Sequence, residues 1–130
     1  MAIWDQVKGH LKNKYNAQEI NLQGFEQLHF VLDTTESRTQ TVIVQKIPFG
    51  VEMIQIMSAI GPIPPTKIDF ALENAIFLPF GGIVKAAGMH FVRENLPLED
   101  LKPDKFDMLI ETISGFADQL EQSCIGGDEH

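Results

Sequence analysis

The chain has one cysteine, one tryptophan and one tyrosine in 130 residues. A single cysteine, Cys124, excludes an intrachain disulfide and a thiolate metal cluster. It falls on the apolar stripe of a predicted helix beside Glu121 and Gln122. That is the place of a small buried side chain, without the cationic setting a reactive thiolate needs. Basic residues are also scarce: 10 Lys and Arg stand against 18 Asp and Glu, a net charge of −8. Such a chain repels phosphate backbones and anionic membrane surfaces, so nucleic-acid and membrane partners are not expected. The one basic cluster, Lys8, Lys12 and Lys14, reads as the solvated face of a helix. No apolar run approaches the ~20 residues of a membrane-crossing helix, and no secretory leader pattern is seen. A cytoplasmic location is expected.

What is present is ordinary globular material, 44% hydrophobic and 22% charged, enough for one domain over residues 1–130 with a core of its own. The strongest signal is Lys102 to Cys124. Phe106, Leu109, Ile110, Ile113, Phe116, Ala117, Leu120 and Cys124 recur at i, i+3, i+4, i+7, the stripe of an amphipathic helix. Pro103 suits its first turn, and Asp104 and Asp107 lie near its positive end. A first helix is predicted over Ala2 to Tyr15, with Ile3, Trp4, Val7, Leu11 and Tyr15 on one side and Gly9 weakening it. Asn16 and Asn21 frame a connection.

Phe25 to Asp33 alternates, with Leu28, Phe30 and Leu32 on one face. Thr34 to Ser37 suits a hairpin loop. Thr39 to Ile47 is rich in β-branched residues, and Pro48 and Gly50 punctuate it. Val51 to Ile60 is the third strand. Its two faces, Ile54, Ile56, Ser58 and Ile60 against Val51, Met53, Gln55 and Met57, are both partly apolar. Short connections make these three strands an antiparallel meander. After Gly61 to Pro65, Thr66 reads as an N-cap with Asp69 in an imperfect capping box. A second helix carries Ile68, Leu72, Ala75 and Ile76 inward and is ended by Pro79 and Gly81-Gly82. Two strands, Ile83 to Ala87 and Met89 to Glu94, precede the last helix, and 126–130 is a frayed tail. The order α-β-β-β-α-β-β-α predicts an α+β fold on one antiparallel sheet of about five strands.

Leu72-Glu73-Asn74 running into Leu78-Pro79-Phe80-Gly81-Gly82, the Leu96-Pro97-Leu98 step, and Phe116, Ala117, Asp118 and Leu120 on the closing helix form a pattern. It resembles the C-terminal half of small type III secretion chaperone-like proteins, including the YbjN-like group. In element order the resemblance spans Trp4 to Leu120. It implies a secretion-chaperone-like fold and a homodimer that binds a protein client without catalysis. It implies a dimer contact at the second helix or near Ile83 to Ala87. By position, Trp4, Val7 and Leu11 and the strand residues Val42 and Val44 would receive a client.

The remaining chemistry is thin. His10, His29, His90 and His130 show no HxxxH or related spacing, so no metal site or cofactor is expected. His29 and His90 lie on strands that could meet across a sheet. The carboxylates from Glu94 to Glu121 fall on a helix's polar face or in loops and read as a solvating surface. Asp118, at the stripe's edge, suits a structural role, capping a loop or pairing with Arg93. Gly81-Gly82 follows a helix and precedes a strand, the reverse of a phosphate loop. Met53, Met57 and Met89 fit either core or an adaptable protein-binding face. With Met53 and Met57 added to the five client positions, the sequence reads as a non-enzymatic, homodimeric protein- or peptide-binding module, chaperone-like or regulatory. The alternative is a small-molecule-binding regulator with a pocket between sheet and helices, lined by groups such as His29 or Gln55.

Overall fold

A computed structural model describes residues 3–34 and 37–126. Helix α1 spans Trp4–Tyr15. Strands β1 (Gln18–Leu22), β2 (Phe25–Asp33), β3 (Thr39–Phe49) and β4 (Val51–Gly61) follow. Helix α2 (Ile68–Asn74) leads to β5 (Gly82–Ala86) and β6 (Met89–Pro97), and α3 (Pro103–Cys124) closes the chain. The fold is α+β: one six-stranded antiparallel sheet in the order β1-β2-β3-β4-β6-β5, with α1 lying on β2 and α3 on β3, β4 and β6.

The sheet has one strand more than expected. The connection after α1 is β1, paired with β2 from Gln18↔His29 to Leu22↔Phe25. It buries none of its residues, so it carries no apolar alternation and stays a strand only through its edge hydrogen bonds. β3 also runs past its expected stop at Pro48. β2 pairs with β3 only between Thr39 and Gln45. Residues 46–49 therefore border β4 alone, where a proline's missing N–H costs no ladder bond. At the other sheet end Ala87 (φ 50) and Gly88 (φ 79) turn β5 into β6, the left-handed pair a tight hairpin needs.

The core lies between α1, α3 and one face of the sheet. Phe106, Ile110, Ile113 and Ala117 of α3 are fully buried, as are Ile54, Ile56 and Ile60 of β4. The 22-residue helix buries the stripe its spacing predicts, and Pro103 sits in its first turn. Gln40 and Ser58 are buried polar residues on this face, as is His90 of β6. The Gln40 amide donates to the Ala59 carbonyl and Ser58 Oγ to the Thr41 carbonyl at 2.8 Å. They serve the irregular register between Ala59 and Gly61, where β4 bulges against β6.

The second helix departs from expectation. Pro65–Lys67 forms a 3-10 turn, and α2 starts at Ile68 with Lys67 as its cap and no side-chain capping bond. Thr66 is therefore not the N-cap. After seven residues the helix tightens into another 3-10 turn at Ala75–Phe77. Ala71 and Leu78 are buried, whereas Leu72 and Ile76 face solvent. The predicted loop from Thr34 to Ser37 includes Thr35 and Glu36, which lie outside the described residues, as do Gly127 to His130 of the expected tail.

Candidate protein-interaction surfaces

Five of the seven expected client-binding residues belong to the core. Trp4, Val7 and Leu11 form the stripe of α1 that packs on the sheet, and all three are buried. Val42 and Val44 point to the same side from β3 and have no exposed surface. Apolar spacing marks a face that must be covered. Here α1 and the sheet cover each other, which leaves these five residues nothing to offer a partner. Met53 and Met57 differ: they point to the opposite side of the sheet, away from α1 and α3, and are half-buried among their neighbours.

That outer face is built from alternate residues of every strand, and its order follows from register. Gln27 pairs with Gln45, Gln45 with Gln55, and Gln55 with Asn95, so four amides form one row across β2, β3, β4 and β6. An apolar row flanks it on each side: Ile43 beside Met57, and Ile47 beside Met53. His29 Nε2 donates to Gln27 Oε1 at 2.8 Å, and Gln27 Nε2 donates to Gln45 Oε1 at 2.5 Å. Burial holds the His29 imidazole below its ordinary pKa, so it donates as the neutral ring. Asn95 Oδ1 is enclosed and has no hydrogen-bond partner among the described residues.

Charge is nearly absent from this face. The register puts two fully charged side chains at outward strand positions, Arg93 in the row of Met57 and Asp33 at the end of β2. The chain has 18 carboxylate side chains, and the other strand carboxylates alternate to the opposite side. Few charges with Met, Arg and aromatics present is the composition of an interface centre. The outward face also carries the exposed apolar residues Val31 and Val51 near its margins.

The histidines do not meet. His29 is on the outer face of β2, while His90 is buried on the inner face of β6, where Nδ1 accepts the Ile63 N–H at 3.1 Å. Nor do His29 and Gln55 line a pocket under the helices, since both point away from them. Arg93 likewise cannot reach Asp118. Asp118 is buried at the inner side and takes Arg38 Nε at 2.9 Å, while Arg38 Nη2 donates to Glu121 at 3.1 Å. This pairing ties the start of β3 to the last turns of α3.

A second surface is the ridge of α2 and its 3-10 extension. Leu72 is 53% exposed, Ile76 81% and Phe77 77%. The chain then turns in at the buried Leu78, and Phe80 forms one wall of a cleft of about 290 Å³ between β6 and the start of α3, lined also by Leu96, Met108, Glu94 and Lys105. Met108 stands 49% exposed at its side.

The polar clusters elsewhere act as braces. Asp107 accepts hydrogen bonds from His10 Nε2, Lys14 Nζ and Tyr15 Oη, each at 2.7 Å. The His10 ring lies edge-on to Tyr15 and beside Phe106. A carboxylate held by three donors orients its neighbours and locks α1 to α3; it is not poised as a base. Burial, then the hydrogen bond and charge of Asp107, push the Tyr15 hydroxyl well above its ordinary pKa. Burial also raises the Cys124 thiol, only partly offset by Lys67, so neither group is an activated nucleophile. Lys8 and Lys12 both bind Glu19, and Lys14 binds Asp107, so the basic cluster of α1 is neutralised in place. Among the described residues no three His, Cys, Asp or Glu side chains converge as a metal site requires, and no helix is long and apolar enough to cross a membrane.

No protein-family model matches the chain, and comparison with curated proteins finds no match.

Proposed function

We propose that this chain is a non-enzymatic protein- or peptide-binding module, chaperone-like or regulatory, that works as a homodimer. One observation carries the reading: a single subunit presents two separate surfaces with apolar side chains, the sparsely charged outer face of the sheet and the protruding ridge of Leu72, Ile76 and Phe77. Contiguous apolar patches beyond a few hundred Å² are rare on proteins that act alone. A homodimer covers one surface and leaves the other for a client. The resemblance to secretion-chaperone-like proteins points the same way.

The test is the solution mass by light scattering. Twice the subunit mass of 14.6 kDa is expected, and a monodisperse monomer would overturn the dimeric reading. A small-molecule regulator is the second reading, favoured by the apolar cleft between β6 and α3 with Glu94 and Lys105 at its lining. An apolar dye displaced from that cleft by a copurified metabolite, in a chain that stays monomeric, would promote it.

A further inference from the structure

The geometry points to a second copy of this chain as the occupant of the outer sheet face, packed face to face so that the two amide rows meet. The inference rests on the homodimeric reading above and assigns its interface.

Charge is the first argument. Two copies with a net charge of −8 each repel one another, and the repulsion is steepest where carboxylates approach. The central strands offer a broad surface without outward carboxylates among the described residues, with Asp33 standing at the rim. A cationic partner would gain nothing from such a face and would be drawn to the acidic surface instead. A copy of the same acidic chain gains most from it.

Spacing is the second. The amides of Gln27, Gln45, Gln55 and Asn95 repeat at the strand separation, ~4.8 Å. An extended peptide laid along the row repeats every ~3.3 Å per residue, and a helix every ~5.4 Å per turn. Another sheet has the same repeat, and the same sheet has the same groups at it. The row retains donors and acceptors for such a match. Gln27 spends its acceptor on His29 and a donor on Gln45, and Asn95 Oδ1 is enclosed within the subunit, so the match falls to the half-buried amides of Gln45 and Gln55.

Symmetry is the third. A face that meets its own copy must be self-complementary about a two-fold axis lying in the interface. One such axis runs along the strands between β3 and β4; the other runs along the amide row. Either sets amides on amides. The first lays Ile43 of one copy against Met57 of the other and Ile47 against Met53, and the second lays the Ile43–Met57 row against the Ile47–Met53 row. In neither does a carboxylate face an apolar side chain of the central strands.

Area is the fourth. β2, β3, β4 and β6 are nine to eleven residues long. At ~3.3 Å per residue and ~4.8 Å per strand, the face measures roughly 600–700 Å² per subunit. Two copies bury about 1,200–1,400 Å², within the range of specific interfaces. Sheets packed in this way lie ~10 Å apart, which glutamine, isoleucine and methionine side chains can fill from both sides.

The experiment compares solution masses of the full chain with Met57→Glu, with Gln45→Lys and with Ile76→Glu, each checked for folding by circular dichroism. The expected result is a wild-type dimer, a folded monomer for Met57→Glu, and a dimer for Ile76→Glu. Gln45→Lys replaces one polar side chain by another and decides the matter should Met57→Glu fail to fold. In a Cys124→Ala background, Gln55→Cys should be linked between copies by a short bismaleimide. A dimer that survives charges on the sheet and dissolves in Ile76→Glu overturns the face assignment and leaves the homodimeric reading standing. A wild-type monomer overturns both.

Discussion

The Tyr15 hydroxyl donates to Asp107 Oδ1 at 2.7 Å across 92 positions of sequence. The bond joins the last residue of α1 to the first turns of α3, and the Tyr15 ring stacks on Phe30 of β2 at 4.8 Å. Helix, helix and strand are thus fixed to one another at one point. Tyr15→Phe keeps the stacking and removes the bond. A hydrogen bond to a charged acceptor contributes about 1.5–3 kcal/mol, so urea unfolding should show a loss near the lower figure. An unchanged midpoint would mean that water replaces the hydroxyl at no cost.

The same pair makes stability depend on pH from both sides. Burial opposes ionisation of Asp107, but the hydrogen bonds from His10, Lys14 and Tyr15 outweigh it and hold the carboxyl below its ordinary pKa. A depressed folded value stabilises above the unfolded pKa of about 3.9, and this part is lost as pH falls through the folded value. Tyr15 has the opposite sign. Its folded pKa is raised, so its part is intact below the unfolded pKa of about 10 and fades as pH rises beyond it. The unfolding midpoint of Tyr15→Phe should therefore fall less steeply above pH ~10 than that of the wild type. Parallel alkaline limbs would contradict the assignment.

Arg38 should be costly to remove. Its guanidinium faces Asp118 and Glu121, whose side chains are 3% and 0% exposed. Arg38→Met leaves two carboxylates buried without their cation, and breaking such a pair costs about 3–5 kcal/mol. Thermal unfolding measures this directly. A loss below ~1 kcal/mol would place the pair among solvated surface bridges.

Two glycines should respond in opposite directions. Gly9 sits inside α1 with open space where a Cβ would go, so Gly9→Ala should stabilise by about 0.5–1 kcal/mol. Gly81 has φ +81, and a Cβ there would run into the Arg93 backbone carbonyl. Gly81→Ala should destabilise by more than ~1 kcal/mol. Paired denaturation curves check both, and equal shifts would show that the β5–β6 edge yields freely.

Much of this architecture is legible in the chain. β2, β3, β4 and α3 announce themselves because each has an apolar period matching its own geometry, and a large core sits behind it. β1 is silent because QEINL buries nothing. The α2 ridge misleads for a related reason. Leu72 and Ile76 have helical spacing, but the helix is short and sits at the margin, where Ala71 and Leu78 suffice to anchor it. The interaction surfaces are harder still. Val42 and Ile43 are both apolar neighbours on one strand, and only the position of α3 decides which is core. Strand alternation puts Met53 and Met57 on the face opposite Ile54 and Ile56, where the register has them, but does not say whether that face is covered; Trp4, Val7 and Leu11 lie in the core, because the same stripe serves equally for packing and for display.

The sheet order also constrains how the chain assembles. β1 to β4 are neighbours in sequence and in space, so they can zip together once the chain has emerged as far as Gly61. β4 then stands with one side bare, because its other neighbour is β6, which begins at Met89. For the time it takes to synthesise some thirty residues, the most isoleucine-rich strand presents an open ladder to any other nascent chain. α2, with its own apolar ridge, emerges in that interval. The protein's period of greatest aggregation risk is therefore set by the crossover between β4 and β6, and a pause in translation there would lengthen it.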